Sequence, residues 1–360
     1  MKNDSYLLAL HSIDGLGPIR LKTILDYFKD PKLAWEGNGG EMIKIGIPKN
    51  TVELFLETKK KLEPESYAES IQKSGIKWKT LFDENYPTLL KQIYDPPIVF
   101  YYKGEILASD EKAIGIVGSR KMTGYGRIVT EDFTKQLVAA GLTIVSGLAR
   151  GVDSAAHKQA LESGGRTIAV LGGGLNKIFP SENASLAQKI ADGAGAVISE
   201  FPPDYPALPG NFPSRNRIIA GLSKAILVTE ADQNSGSLIT ARLAVEAGRE
   251  VFAVPGPVTS SLSRGPIHLI KMGARAVFEP KEILEEMGIS TKTDGSGNSS
   301  EDLSDDEKKV LKVLENETKH LDEIGRTLHY PSSKISALLL KMEIKGMVLS
   351  LGSGNYCKSQ

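Results

Sequence analysis

Arginine, glycine and serine gather in this chain at the ends of short apolar runs. Gly118-Ser119-Arg120, Ser146-Gly147-Leu148-Ala149-Arg150-Gly151, Gly172-Gly173-Gly174 and Ser235-Gly236-Ser237 are such turns, and NFPSRNRIIAG fills residues 211–221 between the last two. These residue types suit the holding of phosphates. Glycine lets backbone N–H groups come close to an anion, and a helix N-terminus adds partial positive charge. Arg120, Arg150, Arg215 and Arg217 would add full charges, and an arginine fork matches two phosphate oxygens at once. Phe212 stands just before the Arg215-Asn216-Arg217 triplet. An aromatic ring beside arginines suits unpaired bases, which stack at ~1–3 kcal/mol each. The alternative for Phe212 is a core staple. For one of Arg215 and Arg217 it is an ion pair with Glu200 or Glu230, and both arginines being so used is disfavoured.

Other chemistries find less support. No GxxxxGK[ST] string occurs, so a P-loop is excluded. The first strand–helix turn runs Gly118-Ser119-Arg120-Lys121-Met122-Thr123-Gly124-Tyr125-Gly126, with its arginine early and its later glycines late, which argues against a dinucleotide fingerprint. His11, His157, His268, His320 and His329 lie far apart without ligand spacing. Asp153 and His157 could share a helix face, but a cap or a backbone N–H acceptor is the better role for Asp153. Glu200 and Glu230 close strands with no nucleophile beside them. No catalytic residue is assigned, and neither metal nor cofactor is implied.

The turns require a sheet to align them. Between 113 and about 287 the runs AIGIVG, LTIVSG, TIAVLG, AVISE, AILVTE, VFAVPG and ARAVF alternate with helical stretches. Nearly all-apolar runs are expected of parallel strands covered on both faces. In such a sheet the strand C-termini share one edge, where ligands bind. Of the chain's 36 glycines, 21 fall between 115 and 273, which concentrates the tight turns there.

The remainder divides by pattern: a helical region over 1–70, a connector with extended character over 71–112, the α/β core over 113–288, a polar Gly/Ser linker over 289–302, and a compact tail over 303–360. The tail predicts three helices, near 304–315, 320–328 and 332–345, and a hairpin, which is a winged-helix pattern. The formal net charge is zero, so any nucleic-acid contact must come from a local patch. One cysteine, Cys357, fits a reducing cytoplasm, and no apolar run reaches the ~20 residues of a membrane span.

GSR at 118–120, SGLARGVDSAAH at 146–157, LGGGLNKIFPSEN at 171–183, FPSRNRIIAGLS at 212–223 and SGSLITA at 235–241 together resemble the DNA-processing protein A (DprA/Smf) family, in order through the core. The resemblance implies an extended Rossmann-like core flanked by an N-terminal helix-hairpin-helix or SAM-like domain and a C-terminal winged helix. It implies a protein that binds single-stranded DNA without sequence preference, protects incoming strands in natural transformation, hands them to the recombinase RecA, and forms a homodimer. The family is not known for enzymatic activity. Arg120 matches its phosphate-binding arginine and Phe212 its groove aromatic. Some members carry a lysine three positions before that phenylalanine. Here Pro209 stands there, and Lys177 is the possible substitute.

The DNA- and phosphate-binding set expected is thus Gly118, Ser119, Arg120, Gly147, Arg150, Gly173, Lys177, Asn211, Phe212, Arg215, Asn216, Arg217, Ser235, Gly236 and Ser237. GLGP at 15–18, with 42–55 as its second half, resembles the phosphate-gripping turn of a helix-hairpin-helix, and a plain helical turn is the equal alternative. The tail's third helix carries Ser332, Ser333, Lys334, Lys341 and Lys345 and is modestly basic. Duplex groove reading there competes with a packing or protein-interaction role. The apolar stretch around Leu262, Ile267, Leu269 and Ile270 is a candidate dimer surface. The main rival is a nucleotide hydrolase of the lysine-decarboxylase-like group. Its PGGxGTxxE motif is not matched by NSGSLITARLAVE at 234–246.

Overall fold

The computed structural model describes residues 3–289, 304–314, 317–344, 347–352 and 354–358. The chain forms two compact units, Met1–Thr291 and Lys292–Gln360. The expected linker beyond Ile289, and Lys345, lie outside the described residues.

The first unit opens with helices α1 (Asp4–His11), α2 (Pro18–Phe28), α3 (Pro31–Glu36), α4 (Gly39–Lys44), α5 (Lys49–Lys61) and α6 (Pro64–Lys73). Their starts are chemically marked. Asp30 accepts from the Lys32 and Leu33 N–H groups ahead of Pro31, and Asn38 with Glu41 forms a capping box. Leu7, Leu8, Leu21, Ile24 and Phe55 are fully buried and share one apolar cluster with Val99, Tyr101 and Val197 of the sheet.

A nine-stranded sheet follows, with β1 (Lys77–Thr80), β2 (Val99–Gly104) after the short α7 (Thr88–Lys91), β3 (Ala113–Val117), β4 (Thr143–Ser146), β5 (Thr167–Leu171), β6 (Gly195–Ser199), β7 (Ala225–Val228), β8 (Glu250–Ala253) and β9 (Arg275–Ala276). Their order is β1-β2-β6-β5-β4-β3-β7-β8-β9. From β6 to β9 every pairing is parallel, whereas β1 with β2 and β2 with β6 are antiparallel. The segment expected to be a connector with extended character, strand-like over Ile98 to Tyr102, contributes β2 there and β1 in addition. Pro87, Pro96 and Pro97 gave it a loop-like composition, but all three lie between the strands, where no ladder bond is lost.

Helices α8 (Gly124–Ala139), α9 (Val152–Glu162), α10 (Ala184–Lys189), α11 (Asn211–Leu222), α12 (Gly236–Glu246), α13 (Arg264–Lys271) and α14 (Pro280–Glu286) complete the unit. They cover the sheet on both faces, in one cluster around Phe100, Ile219 and Ile226 and another around Ile116, Leu137 and Phe252. The chain winds from β3 outward through β4, β5 and β6, then crosses to β7 on the other side of β3. A ligand crevice is expected at that reversal.

The second unit holds α15 (Asp305–Val313), β10 (Lys319–His320), α16 (Leu321–Leu328), α17 (Ser332–Ile344), β11 (Val348–Gly352) and β12 (Asn355–Lys358), with sheet order β10-β12-β11. Val310, Ile324, Ile335, Leu339 and Met342 make its core. Three helices with a small antiparallel sheet form a winged helix.

Candidate nucleic-acid interface

A cleft of about 840 Å3 opens at the C-terminal edge of the parallel strands. Its walls include Gly118, Ser119, Arg120, Phe212, Arg215, Asn216, Ser235, Gly236 and Ser237, so the turns after β3 and β7 and the start of α11 do converge. Lys121, Phe179, Asp232 and Asn234 also line it.

The turn after β3 is held by Glu230. Its backbone carbonyl accepts from Ser119 N at 2.6 Å, and its carboxylate accepts from Thr123 N at 2.8 Å and Thr123 Oγ1 at 2.7 Å. Gly118 is required here, since a Cβ would lie 2.6 Å from the Glu230 carbonyl oxygen. Thr123 caps α8, its Oγ1 accepting from Gly126 N at 3.1 Å, and Glu230 holds that capping residue in place. Arg120 and Lys121 remain exposed on the cleft, and neither pairs with a carboxylate among the described residues. The Arg120 guanidinium carbon lies 5.4 Å from the centre of the Phe212 ring. Across the cleft α12 begins, with Ser235 Oγ accepting from Ser237 N and Gly236 exposed at the first turn. Aligned N–H groups there favour an anion.

The arginine triplet behaves differently from expectation. Arg215 is 4% exposed and donates through Nη1 to the Gly147 carbonyl at 2.6 Å and to the Val170 carbonyl. It therefore ties together the C-terminal ends of β4 and β5 beneath the cleft. Burial lowers its guanidinium to about 10, against the opposing field of Asp153. Arg217 is buried and paired, Nη2 to Glu200 at 2.6 Å and Nε to Asp95 at 3.0 Å. Burial pushes the Glu200 carboxyl up, with Arg217 opposing. Asn216 is buried as well and donates to the Gly236 carbonyl at 3.3 Å, linking α11 to α12. The ion pair expected for one arginine is thus found at Arg217, while Arg215 serves strand-end carbonyls. Residues 215–222 of α11 are all buried, so neither arginine has a solvent face and desolvation demands internal partners on both sides of the helix.

Other expected contacts also have structural work. The Asp153 carboxylate accepts from Gly147 N at 3.1 Å and Ala149 N at 3.3 Å, so the turn after β4 closes on a side chain of the same protein. Arg150 is exposed but forms a fork with Glu182, its Nη2 lying 2.9 Å from Oε2. The Gly173 carbonyl accepts from Ser199 Oγ at 2.7 Å, and Asn211 Nδ2 donates to the Gly172 carbonyl at 3.0 Å. Lys177 is exposed but does not line the cleft. His157, in the apolar interior, contacts Thr167 Oγ1 at 2.6 Å, and burial lowers it to about 3.

Lys121 and Phe179 were not singled out from sequence. Lys121 follows Arg120 directly, and Phe179 is an aromatic just past the Gly172–Gly174 turn, so each had a local signal. What no sequence spacing shows is that Phe179 is brought to the cleft against Phe212.

Fold and cleft together define a Rossmann-like protein with exposed cations at its sheet edge and a winged-helix domain. The model of the DNA recombination-mediator protein A family matches residues 77–288, and that of the DprA winged helix domain matches residues 296–354. Protein Smf of Synechocystis is 34% identical over 382 aligned positions, covering 96% of either chain. The crystal structure of DNA processing protein A from Streptococcus pneumoniae superposes with a TM-score of 0.69 at 36% identity, over 78% of this chain and 97% of that one. A second structure, of DNA processing protein A from Helicobacter pylori, described for its single-stranded DNA binding mode, gives a TM-score of 0.53 at 31% identity, over 59% and 95% of the two chains. The chain belongs to the DNA recombination-mediator protein A family.

Proposed function

We propose that this protein binds single-stranded DNA without sequence preference, protects incoming strands, and loads RecA in natural transformation and homologous recombination. It acts by binding and not by turnover. The carrying observation is the cleft at the sheet reversal, where exposed Arg120 and Lys121 stand beside Phe212 and face the start of α12. Charge and N–H groups would hold phosphates, and the aromatic surface would take bases of any identity. Of the carboxylates in the cleft wall, Asp153 accepts from the Gly147 and Ala149 N–H groups and Asp232 from the Gln233 N–H, which favours binding over hydrolysis.

The strand-bound form is a homodimer, as the family resemblance implies, and works in the cytoplasm. No described helix is long and apolar enough to cross a membrane. Along α13, Leu269 packs toward the core while Met272 beyond it is 75% exposed, so that end offers apolar surface to a second copy. The test is anisotropy with labelled oligothymidylate and a duplex of equal length, followed by RecA ATP hydrolysis on the single strand. Preference for the single strand and faster onset of RecA turnover are expected. Equal affinity for duplex would overturn the reading.

A further inference from the structure

A second pocket, of about 200 Å3, lies toward the opposite end of the sheet and shares no wall residue with the cleft. Its walls come from residues 84–89 around the start of α7, from the segment just ahead of β3, from Ile168 near the start of β5 and from Leu222 at the end of α11. Lys79 of β1 completes them. Lys79 stands opposite Phe100 in the antiparallel pair, so the two side chains share a sheet face. That face is apolar, for Phe100 clusters with Tyr86, Ile168 and Leu222. Lys79 is only 8% exposed, and among the described residues its ammonium makes no hydrogen bond or ion pair. Burial pushes that ammonium below the usual lysine range, with Asp83 opposing. A charge placed on an apolar face without a partner is costly. The acids of the wall do not relieve it. Asp110 is buried on Arg166, whose Nε and Nη2 lie 2.7 and 2.8 Å from its two oxygens. Glu84 and Glu111 are exposed, and Glu111 accepts from Thr88 Oγ1 at 2.6 Å.

We propose that this pocket binds a small amphipathic monocarboxylate, its carboxylate on Lys79 Nζ and its apolar body against Tyr86, Ile106, Ile168 and Leu222. One buried cation among apolar walls is the arrangement that orients a small ligand. A single ammonium matches a single negative charge, and the exposed Glu84 and Glu111 repel a dianion such as phosphate. The volume falls below the ~300–1,000 Å3 of drug-sized sites, which limits the body to a short chain or one ring. The proposal requires nothing of the cleft and stands apart from the single-strand reading.

The experiment is isothermal titration of the full chain with hexanoate, hexanol, hexylamine and inorganic phosphate at constant ionic strength. Hexanoate should saturate one site and bind about 10- to 100-fold tighter than hexanol, the worth of a hydrogen bond between charged groups. Hexylamine and phosphate should bind more weakly still. Lys79→Met keeps the apolar stem and removes the charge. It should unfold in urea no earlier than the unsubstituted protein, because a buried charge without a partner is gone. It should bind hexanoate and hexanol within about twofold of each other. Ala108→Trp adds bulk at an exposed wall position and should abolish hexanoate binding, which keeps the test open even where Lys79→Met fails to fold. The proposal is overturned if no probe binds, if hexanol, hexylamine or phosphate matches hexanoate, or if Lys79→Met keeps the preference for the acid. Normal hexanoate binding by Ala108→Trp would put the acid elsewhere and overturn it too.

Discussion

The cleft of the core and the third helix of the tail both have the outline of a DNA-binding element, but they use their cations differently. Arg120 and Lys121 face the cleft without a carboxylate partner among the described residues. On α17, Lys334 Nζ lies 2.7 Å from Asp306 and Lys341 Nζ 3.4 Å from Glu307, both acids belonging to α15 of the same unit. Such pairs add little to stability, but they neutralise the charge that phosphate attraction requires. The same contrast runs within the core. Arg215 and Arg217 share the cleft's neighbourhood and are buried on internal partners. A basic residue near a binding site is therefore a ligand for phosphate only where the fold has left its charge unspent.

Substituting the paired and the free cations in turn separates their roles. Arg217→Ala leaves Glu200 buried without its partner, and urea unfolding should show a loss of about 3–5 kcal/mol. A loss below 1 kcal/mol would mean that Arg217 is not fixed in that pair. Gly147→Ala places a Cβ 2.5 Å from the Arg215 guanidinium. Overpacking there should cost about 1–3 kcal/mol in the same assay and loosen the turns that shape the cleft.

A third test uses pH. His157 is held low by burial, to about 3, so it is neutral when folded and takes up a proton on unfolding below its ordinary value near 6.5. Its contribution is present above pH 6.5 and is lost as pH falls toward 3. Each pH unit in that window should cost about 1.4 kcal/mol for this group. His157→Gln, which can still reach Thr167, should flatten the acid side of the stability profile. An unchanged slope would show that His157 is not buried neutral. The smallest effect is expected in the tail, where Lys334→Ala and Lys341→Ala should alter single-strand and duplex affinity less than about twofold. A loss of tenfold in either would show that α17 presents free charge after all.

Much of this was legible in the sequence. Apolar runs ending in Gly-Ser-Arg turns located the parallel strands and the edge at which the cleft opens, because period and turn chemistry are local properties. The role of each arginine was not local. The carboxylate partner of Arg217 that lies farthest away, Asp95, is 122 positions distant, and Arg215 bonds to backbone carbonyls that no side-chain pattern announces. Asp153 as a backbone N–H acceptor could be read, since a carboxylate at a helix start has few other tasks. The strand-like run Ile98 to Tyr102 could be read and became β2, but β1 was missed, and the place of both depends on the pairing of β2 with β6, a long-range contact.

Charge left free at the cleft is expected to grip the strand. This is tested most directly by the salt dependence of oligothymidylate affinity in the unsubstituted protein and in Arg120→Ala. Removing one phosphate contact should reduce the log–log slope by about 0.7 and lower affinity at every salt concentration. An Arg120→Ala protein with the same slope and the same affinity would contradict the account.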